Sequence, residues 1–151
     1  MDETYIKVKG QWTYYYRAID KQGNTIDFLL TATRDTKAAL RFLKKAIVQN
    51  GKPSLVNIDQ SGANTAGLKQ VNREHKTRIK IRQCKYLNNI IEQDHRRIKR
   101  LTRPMLGFKN FHAAQRTLAG IEVMAMIKKG QMKTLAGNRK TPAEMFYALA
   151  A

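Results

Sequence analysis

The chain is poor in acid: 11 Asp and Glu stand against 29 Lys and Arg over 151 residues, a formal net charge of +18. It has a single cysteine, Cys84, which excludes an internal disulfide and a thiolate zinc cluster and agrees with a reducing compartment. No apolar run approaches the roughly 18 residues of a membrane span, and no signal-peptide pattern opens the chain. Low-complexity linkers and internal repeats are also missing. What remains is one domain by length, large enough to bury about two thirds of its unfolded surface. Its basic residues interleave with Ile, Leu, Val and Phe, so the charge belongs to folded elements and not to a tail. A pI near 10.3 gives such a domain non-specific affinity for polyanions, and nucleic acid is the expected partner, with no membrane.

Residues 2–9 alternate, with Asp2, Thr4, Ile6 and Val8 on one face and Glu3, Tyr5, Lys7 and Lys9 on the other. Short turns at Gly10-Gln11 and Asp20–Asn24 lead to strands over Trp12–Ile19 and Thr25–Thr33, an antiparallel meander. Asp35 or Thr36 caps a helix that ends at Asn50-Gly51. A strand ends at Asp59, a weaker helix interrupted by Gly67 runs from Asn64 to about Glu74, and Ile79–Arg82 form a fifth strand. Two helices follow, from Asn88 to about Leu101 and from about Phe111 to Lys129. After Gly130 only Thr141-Pro142 signals a further short helix, through Met145, Phe146 and Leu149. A strand that returns after a helical crossover tends to lie parallel in the same sheet. The expectation is an α/β fold with a mixed five-stranded sheet flanked by helices.

Few acids are available, and three sit where a metal site needs them: Asp2 on the first strand, Asp59 closing the fourth, and Glu92 on a cationic helix. Phosphodiester chemistry needs an activated oxygen and stabilisation of charge on the attacking and leaving oxygens. Two divalent cations held by carboxylates from separate elements supply both. On the helix, Leu87, Ile91, Ile98 and Leu101 read as the packed stripe. Glu92, Arg96, Lys99 and Arg103 line an adjacent stripe, with Arg100 a further cation on the same helix. Ordinary readings compete. Asp59 also suits a turn, Glu92 with Arg96 an i,i+4 surface pair, and Asp2 a polar residue at a terminus. Asp94-His95 are adjacent on a helix and point apart, against a catalytic dyad. Asp20, Asp27 and Asp35 read as turn, strand and cap residues, and Cys84 as a small hydrophobe or inert thiol. Trp12 with Tyr14, Tyr15 and Tyr16 offers a base-stacking platform, but sheet packing is the preferred reading. Spacing alone leaves the metal site open.

The string Asp2-Glu3-Thr4-Tyr5-Ile6-Lys7-Val8-Lys9-Gly10-Gln11-Trp12 resembles the first catalytic block of DDE-class bacterial insertion-sequence transposases. Tyr16–Asp20, Ile26–Thr31, Tyr86–Arg100 and Met105–Lys109 continue the likeness, which extends to about residue 131 and is nearest to the insertion sequence six family. The resemblance implies a ribonuclease-H-like, retroviral-integrase-like core over residues 1–131, with residues 132–151 a carboxyl-terminal tail. It implies catalytic and metal-binding roles for Asp2, Asp59 and Glu92, with Mg²⁺ (or Mn²⁺) as a two-ion cofactor. Lys99, seven residues after the glutamate, matches the family's basic position and joins Arg96, Arg100 and Arg103 as a candidate DNA contact. The implied activity is DNA cleavage at insertion-sequence ends and strand transfer to target DNA, by a homo-oligomer in the bacterial cytoplasm. Such transposases carry an amino-terminal helical DNA-binding region, whereas here Met1 directly precedes Asp2. The expectation is therefore a core truncated in its first strand, with impaired activity. The alternative is a non-catalytic DNA-binding or interaction remnant able to inhibit a full-length transposase.

Overall fold

Lys9 and Gly10 both adopt positive φ, 50° and 79°, which a two-residue hairpin turn of the mirror-image type requires. In the computed structural model, which describes residues 1–84, 89–132 and 141–149, this turn joins β1 (Asp2–Val8) to β2 (Gln11–Ile19). Val8 lies opposite Gln11, and Asp2 opposite Arg17. The next turn is built by Asp20, whose carboxylate accepts from the N–H groups of Gln22 at 2.9 Å and Asn24 at 2.8 Å. It leads into β3 (Thr25–Thr31), antiparallel to β2. The meander follows the order β1-β2-β3.

Asp35 caps α1 (Thr36–Asn50), accepting from Ala38 N at 2.7 Å. Then come β4 (Leu55–Ile58), α2 (Gly62–Glu74) and β5 (Lys80–Gln83). Gly67 does not interrupt α2. A Cβ there would sit 3.2 Å from Ala39 Cβ and 3.3 Å from Leu40 N, so the glycine lets α1 and α2 approach closely. β4 and β5 pair in parallel. α3 (Asn89–Thr102) passes through a 3-10 turn at Arg103–Met105 to α4 (Phe111–Lys128), and α5 (Pro142–Ala148) carries a capping box between Thr141 and Glu144. No helix among the described residues is long and apolar enough to cross a membrane.

Five strands in one sheet is corrected to two ladders, β1-β2-β3 and β4-β5. They touch where the Met1 amino group donates to Asn57 O at 2.6 Å. No ladder pairs β1 with β4 among the described residues. The three-stranded sheet is covered on both faces. Consecutive residues on a strand point to opposite faces, and Tyr16 packs with Phe42, Leu68 and Val71 while Tyr15 packs with Ile6, Ile98 and Leu118. Helices α1 and α2 thus lie on one side, and α3 and α4 on the other. The packed stripe of α3 also needs correction: Ile91, His95, Ile98 and Thr102 are buried, and Leu101 is 45% exposed. The buried set steps by four, three and four residues, and residue 101 lies a further 100° round the helix from 102. Leu87 lies outside the described residues.

One buried ion network ties these layers together. Arg17, fully buried on β2, donates from Nε to Glu122 Oε1 at 2.6 Å and from Nη2 to Asp94 Oδ2 at 3.2 Å. Tyr15 OH and Thr25 Oγ1 also donate to Glu122, each at 3.2 Å, and Lys129 Nζ donates to Asp94 at 2.9 Å. Burial alone raises the Asp94 pKa, but Lys129 and Arg17 outweigh it and hold the carboxyl below its ordinary value. Removing one member of such a pair leaves an uncompensated buried charge, at about 3–5 kcal/mol. Glu122→Leu is therefore expected to lower the melting temperature by roughly 6–20 °C. Adding Arg17→Met to that variant should restore part of the loss. Calorimetry of the three proteins checks this, and a Glu122→Leu melting point within a degree of the parent would contradict it.

Candidate active site

Asp59 directly follows β4, and its position is fixed by the start of α2. Ser61 N donates to Asp59 Oδ1 at 3.2 Å, a local turn that short acidic side chains favour, and Asn64 Nδ2 donates to the same oxygen at 3.3 Å. Fully buried Asn64 also donates to Glu3 Oε2 at 2.8 Å. Glu3 is buried and forms a close ion pair with Arg34, whose Nη2 is 3.6 Å from Asp59 Oδ2. Asp2 opens β1, its Oδ1 accepting from Glu3 N at 2.9 Å. The result is a set of three carboxylates, Asp2, Glu3 and Asp59, each with an oxygen within 4.8 Å of the others.

The set carries electrostatic strain. Burial pushes the Asp2 carboxyl up to about 6; the Glu3 N–H opposes this, and the negative charges of Asp59 and Glu3 add to it. On the other side of Asp2 stands His95 of α3, with Nδ1 3.8 Å from Asp2 Oδ2. Burial, with Arg17 and Lys99 nearby, takes this imidazole down to about 3. It is therefore neutral, and the contact is not an ion pair. Asp94 turns instead to Arg17 and Lys129, so Asp94 and His95 serve different neighbours, as adjacent helix residues should.

Of the three acids singled out in the sequence, Asp2 and Asp59 come together and Glu92 does not join them. Glu92 is exposed on α3, one turn before His95, and makes no ion pair with Arg96 among the described residues. At about 100° per residue, Glu92, Lys99 and Arg103 fall within roughly 40° of one another, and Lys99 and Arg103 line a cavity beside β1. Arg96 and Arg100 are exposed on the same helix. Sequence reasoning missed Glu3, Arg34 and Asn64. Alternation assigned Glu3 to a wet face with Tyr5 and Lys7, and only its place next to Asp2 hinted at more. Nothing in the sequence around Arg34 or Asn64 marks either as a partner of the acids.

These donors fit a hard divalent cation, which takes carboxylate oxygens from a few converging residues, and a positive ion there would offset the burial that, with the smaller effect of the neighbouring carboxylates, raises Asp2. The sign of the pH effect follows. With a folded pKa above its ordinary 3.8, Asp2 contributes stability below pH 3.8 that is lost as pH rises through about 6, at most roughly 3 kcal/mol. Asp2→Asn, which keeps the acceptor for Glu3 N, should thus be more stable than the parent at pH 7 and similar at pH 4. Urea midpoints across that range test this. A less stable Asp2→Asn protein at pH 7 would show that the site is not strained.

Residues 1–131 match a family model described as a DDE domain. Over 134 residues the chain is 44% identical to the transposase for insertion sequence-like element IS431mec of Staphylococcus aureus, and equally so to the transposase for insertion sequence element IS257 in transposon Tn4003 of that species. These alignments cover 87% of this chain and 58% of each relative, so the chain spans less than two thirds of their length. The backbone is similar to that of the HTLV-2 integrase catalytic core domain, solved in complex with magnesium in its dimeric form. The TM-score is 0.61 over 95% of this chain and 90% of that one, at 18% identity. The fold is ribonuclease-H-like, of the retroviral-integrase type.

Proposed function

The chain belongs to the DDE-domain transposases of the insertion sequence six family, and from that membership we propose that it is a core that cleaves DNA strands at insertion-sequence ends and joins them to target DNA. The observation that carries the proposal is the convergence of Asp2 and Asp59 within 4.8 Å, from separate elements of a strongly basic chain. In this reading Asp2 and Asp59 hold Mg²⁺, with Mn²⁺ as a substitute, and Glu92 completes a two-ion site. Its position one turn before His95, which contacts Asp2, supports that role. Bound divalent ions would supply an activated oxygen nucleophile and offset charge on the attacking and leaving oxygens. Asn64 and the turn at Ser61 hold Asp59 in place, and Glu3 with Arg34 acts as a positioning pair behind it. Lys99, Arg96, Arg100 and Arg103 take the DNA backbone along α3. A homo-oligomeric active assembly and a bacterial cytoplasmic location go with this reading.

A second reading, a DNA-binding module without catalysis, is favoured by Arg34, which already offsets Glu3 and Asp59, and by the exposure of Glu92. Nicking of supercoiled plasmid separates the two. The proposal expects nicking that depends on Mg²⁺ or Mn²⁺ and falls about 100-fold or more in Asp59→Asn and Glu92→Gln, the loss of a few kcal/mol of transition-state stabilisation. A protein that binds plasmid but nicks no faster than Asp59→Asn would support the second reading.

DNA affinity should be electrostatic and largely indifferent to duplex sequence. Each phosphate neutralised adds about −0.9 to the slope of log K against log salt. Replacing Arg96, Lys99, Arg100 and Arg103 with Gln should therefore flatten that slope by roughly 3–4. An unchanged slope would mean that α3 does not lie on the DNA.

A further inference from the structure

The aromatic residues of β1 and β2 divide into two groups. Tyr15 and Tyr16 are core residues, as sheet packing predicts, but Trp12 is 61% exposed and Tyr5 43% exposed. Tyr5 meets Trp12 and Tyr14 edge-on, with centroids 6.5 and 5.4 Å apart, and Lys7 Nζ stands 5.9 Å from the centre of the Trp12 ring. These rings line a cavity of about 630 Å³ that wraps the free edge of β1 and is also lined by Lys99, Thr102 and Arg103, which lie on the other face of the sheet. The loop at Gly107 also lines it. Phe108 N donates to Lys7 O and Lys9 N to Phe108 O, both at 2.8 Å, and Gly107 has a φ of +103° with Lys7 O only 3.1 Å from where a Cβ would be. Among the described residues, no acid lines the cavity. Tyr5 is two residues along β1 from Glu3, about 6.6 Å at strand spacing, so the cavity opens beside the carboxylate set.

We propose that this cavity binds one unpaired nucleotide of a DNA strand, its base against Trp12 and Tyr5 and its phosphate at Lys99 and Arg103. The chemistry is specific to a base freed from its duplex. An exposed aromatic ring offers stacking to any base face, whereas a base inside a duplex already stacks on its neighbours and presents only an edge. The cations beyond the β1 edge match the phosphate that such a base carries, and Lys7 over Trp12 adds positive charge at the same ring. The inference deepens the DNA-cleaving reading above and rests on it. It places an unpaired nucleotide next to the phosphate on which Asp2 and Asp59 would act.

Trp12 is the chain's only tryptophan, so its fluorescence reports on this cavity alone. The probes are a short oligothymidylate and a blunt duplex of equal length, both fluorophore-labelled for anisotropy and titrated without divalent ions. Expected are quenching of Trp12 emission by the single strand and not by the duplex, and a loss of single-strand affinity of about 5- to 150-fold in Trp12→Ala. Duplex affinity and melting temperature should stay at the parent values, and Trp12→Phe should recover part of the loss. Equal quenching by both probes, or equal weakening of both in Trp12→Ala, would make the wall a general DNA surface and overturn the inference while leaving the DNA-cleaving reading intact. Failure of the parent protein to bind either probe would overturn both. An emission change that follows protein concentration alone would assign the cavity to a second copy of the chain and likewise overturn it.

Discussion

A guanidinium with no exposed surface holds this molecule together at its most consequential joint. Arg17 stands directly opposite Asp2 across the β1–β2 ladder, and from there it reaches Asp94 on α3 and Glu122 on α4. The helix that carries Glu92 and Lys99, and leads into the turn with Arg103, is thereby anchored to the strand pair that carries Asp2. A buried ion pair is weak evidence for stability, because desolvation offsets its attraction. Its value here is orientation. Apolar packing of Ile91 and Ile98 holds α3 against the sheet but sets its rotation and register less strictly than charged hydrogen bonds of fixed geometry.

The same economy of acids shapes the site. With few carboxylates available, the fold brings Asp2, Glu3 and Asp59 within 4.8 Å of one another, with Arg34 paired to Glu3 and Asp59 and the Met1 ammonium close by. Asp2 is left with a raised pKa beside a neutral histidine. Strain of this kind is where function costs stability. It is also what a cation would remove, so the fold and the proposed chemistry point the same way. In the proposed reading, the basic helix and the aromatic cavity would lead a DNA strand away from the carboxylate set.

Much of the fold was legible because its signals are local. The mirror-image turn needs Lys9-Gly10, the Asp20 turn needs its own carboxylate, and Asp35 caps α1 through a bond three residues away. Each is decided within a few residues. Asp2 and Asp59 were legible through their strand-end positions together with a long family resemblance. What the sequence hid was tertiary. Glu3 is buried because Arg34 and Asn64, far away in sequence, close over it. Thr102 replaces Leu101 in the packed stripe because the rotation of α3 is set by contacts beyond its own pattern. The break between the two ladders is likewise set by how the strands meet in space, where only the Met1–Asn57 hydrogen bond is seen between them among the described residues. Trp12 reads as a core residue by type, yet it is 61% exposed on its strand.

The central claim is that the carboxylate set and Glu92 form one metal site, with α3 held in position by Arg17. Crystals soaked in Mn²⁺ and measured for anomalous scattering test it most directly. The account predicts a peak bonded to carboxylate oxygens of Asp2 and Asp59, with the Glu92 side chain turned in from α3 to reach the same centre. Absence of a peak between Asp2 and Asp59, with Arg34 still pairing with Glu3 and Asp59 and Glu92 still directed to solvent, would contradict it.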